Sequence, residues 1–317
     1  MPLHIVSPLL QSRPLSILSG KTVWLKYDAL QPSGSFKLRG IGAVCEEYAR
    51  QGKTRFISSS GGNAGIAVAY AGRQLSISVT VVVPETTTPR AKGLIVEEGA
   101  SVIVHGASWM EANALAQSML DTDSAFIHPF DNPTIWAGHA TLIDEVVRAN
   151  VRFDAVLLSV GGGGLLSGVV EGLRRNGRGE IPVVAMETQG ADSLAQSVSA
   201  GARIELDAIT SIATSLGAKK VCANAWQVTQ SHDVRCHVVS DLEALEACEN
   251  FLHDHRVLVE PACGATLAAI YSRNQSIIAG FEAPLAVVCG GATVAYEQIR
   301  DWRAKAAAQT RHGWTRK

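Results

Sequence analysis

The stretch Ala155-Val156-Leu157-Leu158-Ser159-Val160-Gly161-Gly162-Gly163-Gly164-Leu165-Leu166 passes from apolar residues into four consecutive glycines. A continuous apolar run of this length is typical of a strand buried on both faces of a parallel sheet. Residues 165–175 then have the pattern of a helix. Glycine N–H groups at a helix N-terminus form a cradle for a phosphate group. NAD would favour a GxGxxG spacing, and a plain tight turn needs fewer glycines, so we predict a phosphate cradle here.

Strand-like and helix-like segments alternate along the rest of the chain. The predicted strands cover residues 23–27, 55–58, 79–83, 101–105, 183–187 and 284–289. Helical patterns cover residues 38–51, 64–75, 90–98 and 109–120. Continuous apolar strands separated by helices predict an α/β fold with parallel sheets covered on both faces. The basic tail, residues 300–317, is expected to be a solvated end.

Composition excludes several classes of protein. The chain has 317 residues, of which 47% are hydrophobic and 18% charged, and its net charge is −1. We therefore expect a globular protein with no nucleic-acid partner. No apolar run reaches about 18 residues, and the first residues lack a basic segment followed by an apolar one, so neither a membrane partner nor a secretory signal is expected. The six cysteines form no CxxC pair and no zinc spacing, which predicts reduced thiols and a cytoplasmic location.

One lysine stands out in the stretch Ser33-Gly34-Ser35-Phe36-Lys37-Leu38-Arg39-Gly40. Lys37 lies among small residues where a helix begins, although lysine is usually solvated. The positive end of a helix disfavours an ammonium group by roughly 0.3–1 kcal/mol. Because Schiff-base chemistry needs a free amine, this position suits a lysine that reacts as one.

Three small-residue loops follow predicted strands, where ligands gather in open α/β sheets. They are Ser59–Asn63, Gly161–Gly164 and Cys289–Thr293. The first could hold a carboxylate at a helix start, or it could be an ordinary N-cap. The segment around Cys289, taken alone, has the pattern of a buried core cysteine.

Together these motifs resemble the fold-type II pyridoxal-phosphate enzymes, most closely the L-serine dehydratase/L-threonine deaminase group. The resemblance covers nearly the whole chain and rests on residues 31–40, 59–65, 159–166, 186–188, 259–265 and 288–291. It implies a tryptophan synthase β-like α/β fold, with two three-layer α/β/α domains and the cofactor in the cleft between them. Residues 1–30 and 134–317 would form the large cofactor-binding domain, and residues 31–133 an inserted small domain. Relatives are usually homodimers.

The resemblance also implies a role for each motif residue. Lys37 would form the Schiff base with pyridoxal 5'-phosphate, and Phe36 would pack on the pyridine ring. Asn63 would bind the 3-oxygen of the ring, and Cys289 would face its nitrogen. The backbone N–H groups that would hold the phosphate are those of Gly161, Gly162, Gly163 and Gly164. The loop that would take the substrate carboxylate contains Ser60, Gly61, Gly62 and Asn63.

Some relatives bind a cation near the phosphate loop, and potassium is the expected ion here. The matching positions are the side chains of Glu187 and Ser193, with backbone oxygens around Gly161, Ala191, Leu216 and Ala218.

The implied activity is β-elimination from L-serine, L-threonine or both, which gives pyruvate or 2-oxobutanoate and ammonia. Lys37, once freed by the substrate amine, would remove the α-proton as a general base. Cys289 would make the ring a weaker electron sink than a carboxylate partner would, which favours elimination over transamination. The alternatives are dehydration of another β-hydroxy amino acid such as 3-phenylserine, serine racemisation, β-replacement, or a binding protein that retains the pocket.

Two positions depart from liver-type serine dehydratase, which has alanine at both. Gly61 is expected to leave more room and a looser carboxylate loop. Ser215 lies near the cofactor's other face, where a racemase would need its second acid or base. Because the chain ends at residue 317, we expect no appended regulatory domain and no feedback control by isoleucine.

Overall fold

The computed structural model describes residues 1–272 and 275–313, which form two β-sheets and the helices around them. From edge to edge, the larger sheet contains β1 (Leu9–Gln11), β2 (Trp24–Lys26), β10 (Pro284–Val287), β7 (Ala155–Ser159), β8 (Val183–Thr188) and β9 (Val234–Val239). Its strand pairs are parallel except for β1, which pairs antiparallel with β2. Every residue of β7 and β8 is buried, as expected for central strands covered on both faces.

The smaller sheet is entirely parallel and comes from one continuous part of the chain. Its strands are β5 (Ser101–Val104), β4 (Ser78–Val83), β3 (Arg55–Ser58) and β6 (Ser124–Phe126). The predicted strands at 55–58, 79–83 and 101–105 are therefore confirmed to within one residue at each end. The three-residue strand β6 has no sequence pattern long enough to indicate it.

Helices connect most of the strands. They are α1 (Arg13–Ser19), α2 (Lys37–Arg50), α3 (Asn63–Leu75), α4 (Pro89–Glu97), α5 (Trp109–Ser118), α6 (Pro133–Arg148), α7 (Gly164–Arg175), α8 (Ser193–Ala200), α9 (Ala223–Ser231), α10 (Asp241–His255), α11 (Pro261–Tyr271) and α12 (Tyr296–Gly313). Across the ranges that the structure describes, none of these helices has the length and apolar character needed to cross a membrane.

Each sheet has its own hydrophobic core. The larger core includes β7, β8, α7 and α11, and the smaller one includes α3 and the inward side chains of β4. Trp136 of α6 packs against both cores. Two cores on two sheets are compatible with two domains, while the boundaries at residues 30 and 133 stay a prediction.

A buried cluster of four charged side chains anchors the start of α2. Arg39 is fully buried and donates to both carboxylate oxygens of Asp28, at 2.6 and 2.8 Å, and to both of Glu145, at 2.7 and 2.8 Å. Lys26 of β2 also pairs with Glu145. Two cations balance two anions, so the charges are compensated although little water reaches them. The cluster ties α2 to β2 and α6 two residues after Lys37.

The basic tail is helical over most of its length. Residues up to Gly313 belong to α12, in which Ile299 is buried and Trp302 packs against the larger core. Arg303 also donates to Glu249 at 2.6 Å. The basic side chains of Arg300, Arg303 and Lys305 are exposed to solvent, while Ile299 and Trp302, at i and i+3, hold the helix against the core. Residues 314–317 lie outside the described residues.

Candidate active site

Lys37 is the first residue of α2, and its side chain reaches into a cleft lined by loops of both sheets. Its Nζ donates to the carbonyl oxygen of Pro129 at 2.7 Å. The side chain keeps some accessible surface, yet protein surrounds the amine closely, and this burial lowers the pKa of Lys37 to about 8. Cys289 and Glu260 act in the opposite direction on this pKa. Burial, rather than the helix end considered above, is therefore what makes a free amine accessible near neutral pH.

The segment after β6 joins this lysine to the glycine loop. While Pro129 accepts the hydrogen bond from Lys37, the neighbouring Phe130 packs directly beneath the glycines. The indole of Trp136 donates to the carbonyl oxygen of Phe130 at 2.9 Å, which holds the segment in place. The sequence had no recognisable signal for this role of residues 129 and 130.

The four glycines leave no space for side chains on the side away from the cleft. A Cβ at Gly162 would lie 2.4 Å from the Phe130 ring, and one at Gly164 would lie 2.8 Å from the Phe130 carbonyl oxygen. At Gly163 the backbone has a φ of +88°, and a Cβ would meet that of Ala225 at 2.3 Å. A turn alone would not require glycine at each position, so close backbone packing explains the run.

The N–H groups of this loop are available for an anion. Among the described residues, the N–H groups of Gly161, Gly162 and Gly163 have no protein acceptor, and the first internal bond of α7 runs from Ser167 N to Gly163 O. Unpaired N–H groups at a helix N-terminus fit a phosphate group, as the sequence predicted.

Asn63 begins α3 and is buried, with its side chain directed at the other sheet. Its Nδ2 donates to Oε1 of Glu260 at 2.7 Å, whereas its Oδ1 has no partner among the described groups. A buried, unpartnered amide oxygen indicates that the side chain is built to meet a further polar group. Glu260, which stands immediately before Pro261 at the start of α11, was quoted in a motif above but given no role. The feature of the sequence that could have indicated a role for Glu260 is its position as an acidic residue in an apolar segment just before a helix begins.

The carboxylate loop corrects the expectation about Gly61. A Cβ at position 61 would lie 2.7 Å from both Cγ2 and Oγ1 of Thr87, and 3.2 Å from Cγ1 of Val83. Thr87 therefore takes the space that an alanine at position 61 would occupy, and the glycine leaves no additional room. The neighbouring Ser60 accepts a hydrogen bond from Gly62 N at 3.4 Å, which closes the turn.

The loop after β10 pairs with the segment before Lys37. Phe36 N donates to the Cys289 carbonyl oxygen at 2.9 Å, and Ser35 forms an antiparallel bridge with Gly290. The Cys289 side chain is buried, and a hydrogen bond with Cys263 together with burial raises the pKa of its thiol well above the usual value. Cys289 is therefore a neutral group beside the lysine.

Phe36 is supported from behind by His139 of α6. The two ring centroids are 4.9 Å apart at an interplanar angle of 54°. His139 is fully buried, and neither ring nitrogen has a partner among the described residues. Burial, with Lys37 and Arg39 nearby, lowers its pKa well below the usual value, so the imidazole is neutral.

The two side chains predicted for a cation lie at the end of β8 and at the start of α8. Glu187 is fully buried and accepts from Leu194 N at 2.9 Å and Ala195 N at 2.7 Å, while burial raises its pKa to about 8. Ser193 Oγ is buried without a partner in the part of the chain that the structure describes. In the same ranges, no three His, Cys, Asp or Glu side chains cluster as metal ligands. A site here would depend on carbonyl oxygens such as that of Leu216, which already accepts from Ala218 N at 2.8 Å.

These residues fit pyridoxal phosphate on three counts: an amine with a lowered pKa, a glycine cradle with unpaired N–H groups, and a buried amide oxygen without a partner among the described groups. A family model described as "Pyridoxal-phosphate dependent enzyme" matches residues 1–290 of the chain. The fold and the cleft thus define a pyridoxal-phosphate enzyme of fold type II.

Similarity to individual proteins narrows this class. The L-serine dehydratase of Dictyostelium discoideum is 42% identical, over 95% of this chain and 91% of that protein. The L-serine dehydratase/L-threonine deaminase of Homo sapiens is 45% identical, over 94% of each chain. A solved structure of a fungal L-serine ammonia-lyase from Rhizomucor miehei is 32% identical, with a TM-score of 0.91, and the match covers 96% of this chain and 99% of that one. The chain belongs to the serine dehydratase and threonine deaminase family of pyridoxal-phosphate enzymes.

Proposed function

We propose that the protein removes water and ammonia from L-serine, L-threonine or both, giving pyruvate or 2-oxobutanoate. The relatives named above support the reaction, and the observation that carries it is the Lys37 amine, whose pKa of about 8 lies close to neutral pH. Near pH 8 about half of such amines are unprotonated, so the same group can attach the cofactor and later accept a proton.

In this reaction the residues of the chain bind, orient and transfer a proton. Lys37 would hold the cofactor through Nζ and, when free, would accept the α-proton at that atom. The N–H groups of Gly161–Gly164 would hold the phosphate, and the Ser60–Asn63 loop would bind the substrate carboxylate. Bound pyridoxal phosphate would supply the electron sink for the pair left on Cα. The α-proton and the β-hydroxyl together make up the water that is lost, and addition of one water to the remaining enamine gives the 2-oxo acid and ammonia.

Cys289 supports elimination in preference to transamination. Its thiol is neutral because burial and the hydrogen bond with Cys263 raise its pKa. Facing the ring nitrogen, a neutral thiol would hold less positive charge there than a carboxylate partner would. A weaker electron sink would favour use of the Cα electron pair to form the Cα–Cβ double bond, while the Cβ–O bond breaks and its pair leaves with the oxygen.

The purified holoprotein should form 2-oxo acid from a substrate panel of L-serine, L-threonine and 3-phenylserine. We expect turnover of L-serine, L-threonine or both, measured as 2-oxo acid and ammonia in equal amounts. Preference for 3-phenylserine would instead assign a different β-hydroxy amino acid. Bound cofactor with no turnover of any of the three would favour a binding protein.

Chiral analysis of the same reaction addresses racemisation. Ser215, the candidate second acid or base of a racemase, lies exposed in the turn Thr214–Leu216. We expect pyruvate in excess over D-serine. The opposite ratio would make the protein a racemase and contradict the proposal.

Gly61 and Thr87 should act as a complementary pair in the carboxylate loop. Gly61→Ala introduces a Cβ within 2.7 Å of Thr87, and overpacking of this kind should raise KM for the amino acid by about tenfold. Thr87→Ala removes both contacting atoms, so adding it to Gly61→Ala should recover most of that loss. KM is measured for the two single variants and the double variant. Additive effects would contradict the pairing.

We also propose a potassium-like cation at Glu187 and Ser193. A buried carboxylate without a cationic partner and a buried hydroxyl without any partner, both in the described ranges, support it. Backbone oxygens around Gly161 and Leu216 would complete the ligands. Formation of 2-oxo acid is measured in potassium chloride and in tetramethylammonium chloride. This comparison tests the site, because the larger ion cannot be coordinated by closely spaced oxygens.

The remaining proposals concern the domains, the cellular location and the oligomeric state of the enzyme. Separate cores for the two sheets support a large domain of residues 1–30 and 134–317 and a small domain of residues 31–133. Six free cysteines support a reducing, cytoplasmic location. We propose a homodimer on the resemblance to relatives.

A further inference from the structure

Glu260 is a buried carboxylate to which the reaction described above assigns no role. Its side chain is only 4% exposed, and it lies at the N-terminus of α11 in the cleft that contains Lys37. A buried carboxylate is costly unless hydrogen bonds compensate it. Glu260 accepts from Asn63 Nδ2 at 2.7 Å and from Thr293 Oγ1 at 3.0 Å, so each carboxyl oxygen has a donor.

The two donors to Glu260 come from separate parts of the chain. Asn63 is at the start of α3 and belongs to the smaller sheet, whereas Thr293 follows β10 of the larger sheet. The Glu260 carboxylate therefore connects the start of α3, which packs on the smaller sheet, with the loop after β10 of the larger sheet.

Both oxygens of the Glu260 carboxyl accept hydrogen bonds, Oε1 from Asn63 and Oε2 from Thr293, and these bonds oppose the rise in its pKa that burial causes. Because Oε1 is an acceptor in this arrangement, it determines which end of the Asn63 amide faces it, namely the NH2 group. The second N–H of Asn63 and its Oδ1, which is unpartnered among the described groups, are left in fixed positions for a further polar group. A side chain that can both donate and accept would not impose this orientation.

We propose that Glu260 is a positioning residue that fixes the orientation of the Asn63 amide toward the 3-oxygen of bound pyridoxal phosphate. This inference rests on the proposed contact between Asn63 and that oxygen. It requires no proton transfer by Glu260 and no contact between Glu260 and the substrate.

The first test is Glu260→Gln, which keeps the shape of the side chain but can present either an acceptor or a donor to Asn63. We expect the dissociation constant of pyridoxal phosphate to rise by about tenfold, since a charge-assisted hydrogen bond is lost. The visible absorption band of the bound cofactor should also shift, because the partner of its 3-oxygen is no longer fixed. An unchanged band and affinity would overturn the proposal.

A swap separates amide orientation from simple bridging of the two sheets. The double variant combines Asn63→Asp with Glu260→Gln, so the amide and the carboxylate exchange places. The amide can then donate to the carboxylate across the same gap, and a hydrogen bond and one negative charge remain at the pair. The swap should restore the melting temperature of the apoprotein, which shows that the hydrogen bond is re-formed. Asn63 itself faces the cofactor, so Asn63→Asp alone is measured as well, and the swap should recover neither the affinity nor the absorption band relative to that single variant. Recovery of all three would reduce Glu260 to a structural bridge and contradict the inference.

Asp144→Asn is the matched control, because Asp144 also accepts from an asparagine, Asn176 Nδ2, at 2.7 Å. That pair lies at the far end of α7 from the glycine loop. We expect Asp144→Asn to change the dissociation constant of pyridoxal phosphate by less than about twofold and to leave the absorption band unchanged, because substitutions at distant sites act independently. Both readouts need only cofactor binding. If the protein binds pyridoxal phosphate but turns over no substrate, the proposed function is contradicted. The role of Glu260 can still be tested in that case.

Discussion

Lys37→Ala should lower the rate of 2-oxo acid formation by about 10⁴-fold, because it removes both the covalent attachment point and the proton acceptor. The variant should also lose the visible absorption band of the holoprotein. The titratable groups that influence the pKa of this amine are Cys289, Glu260 and Cys222, and none of them is a second lysine. Turnover is measured with L-serine and L-threonine at saturating cofactor.

Lys219→Ala is the matched control for this variant. Lys219 also donates its Nζ to a backbone carbonyl, that of Asp207, at 2.7 Å, but on the exposed surface. Its removal should leave both the absorption band and turnover unchanged within about twofold, as for most surface substitutions. Borohydride reduction of the unmodified holoprotein, followed by peptide mapping, should place the cofactor label on Lys37. A label on any other lysine, or turnover by Lys37→Ala, would contradict the assignment.

Arg39→Met should lower the free energy of unfolding by about 3–5 kcal/mol, since it leaves Asp28 and Glu145 buried with Lys26 as their one remaining cation in the described cluster. Urea unfolding followed by tryptophan fluorescence measures the loss. Because the cluster fixes the start of α2, the variant should also bind pyridoxal phosphate more weakly than the unmodified protein.

Two further variants keep this prediction testable if Arg39→Met does not fold. Arg39→Lys retains the charge but loses the planar fork that serves two carboxylates, so an intermediate loss is expected. Arg55→Met breaks an exposed pair with Asp121 and should cost less than about 1 kcal/mol. Equal losses of unfolding free energy for the Arg39 and Arg55 variants would show that the buried cluster stabilises the fold no more than an exposed ion pair does.

Local pattern was sufficient to predict the α/β class and most of the elements that carry the site. The apolar run of β7 followed by glycines predicts a strand, a turn and α7, because each feature depends on neighbouring residues. Lys37 at the start of α2 was predicted for the same reason. Short edge elements such as β1 were missed, since a three-residue strand is stabilised by its pairing with β2 rather than by its own composition.

Contacts between distant residues decided the rest of the candidate site. Glu260 and Asn63 are 197 residues apart, and no periodicity relates them. Thr87 fills the space beside Gly61, which reversed the expectation of a roomier loop. The basic residues of the tail indicate a solvated segment, and only the tertiary structure shows that Trp302 packs against the larger core.

The sequence by itself was enough to predict a phosphate cradle and a lysine that reacts as a free amine, because four consecutive glycines and a lysine at a helix start are local features of the chain. Only the tertiary structure decided how that lysine becomes a usable amine. Its pKa is lowered to about 8 by burial, and burial arises from loops of both sheets that close around Lys37. Desolvation depends on every atom nearby rather than on the residues adjacent in sequence, which is why it emerges only from the folded chain.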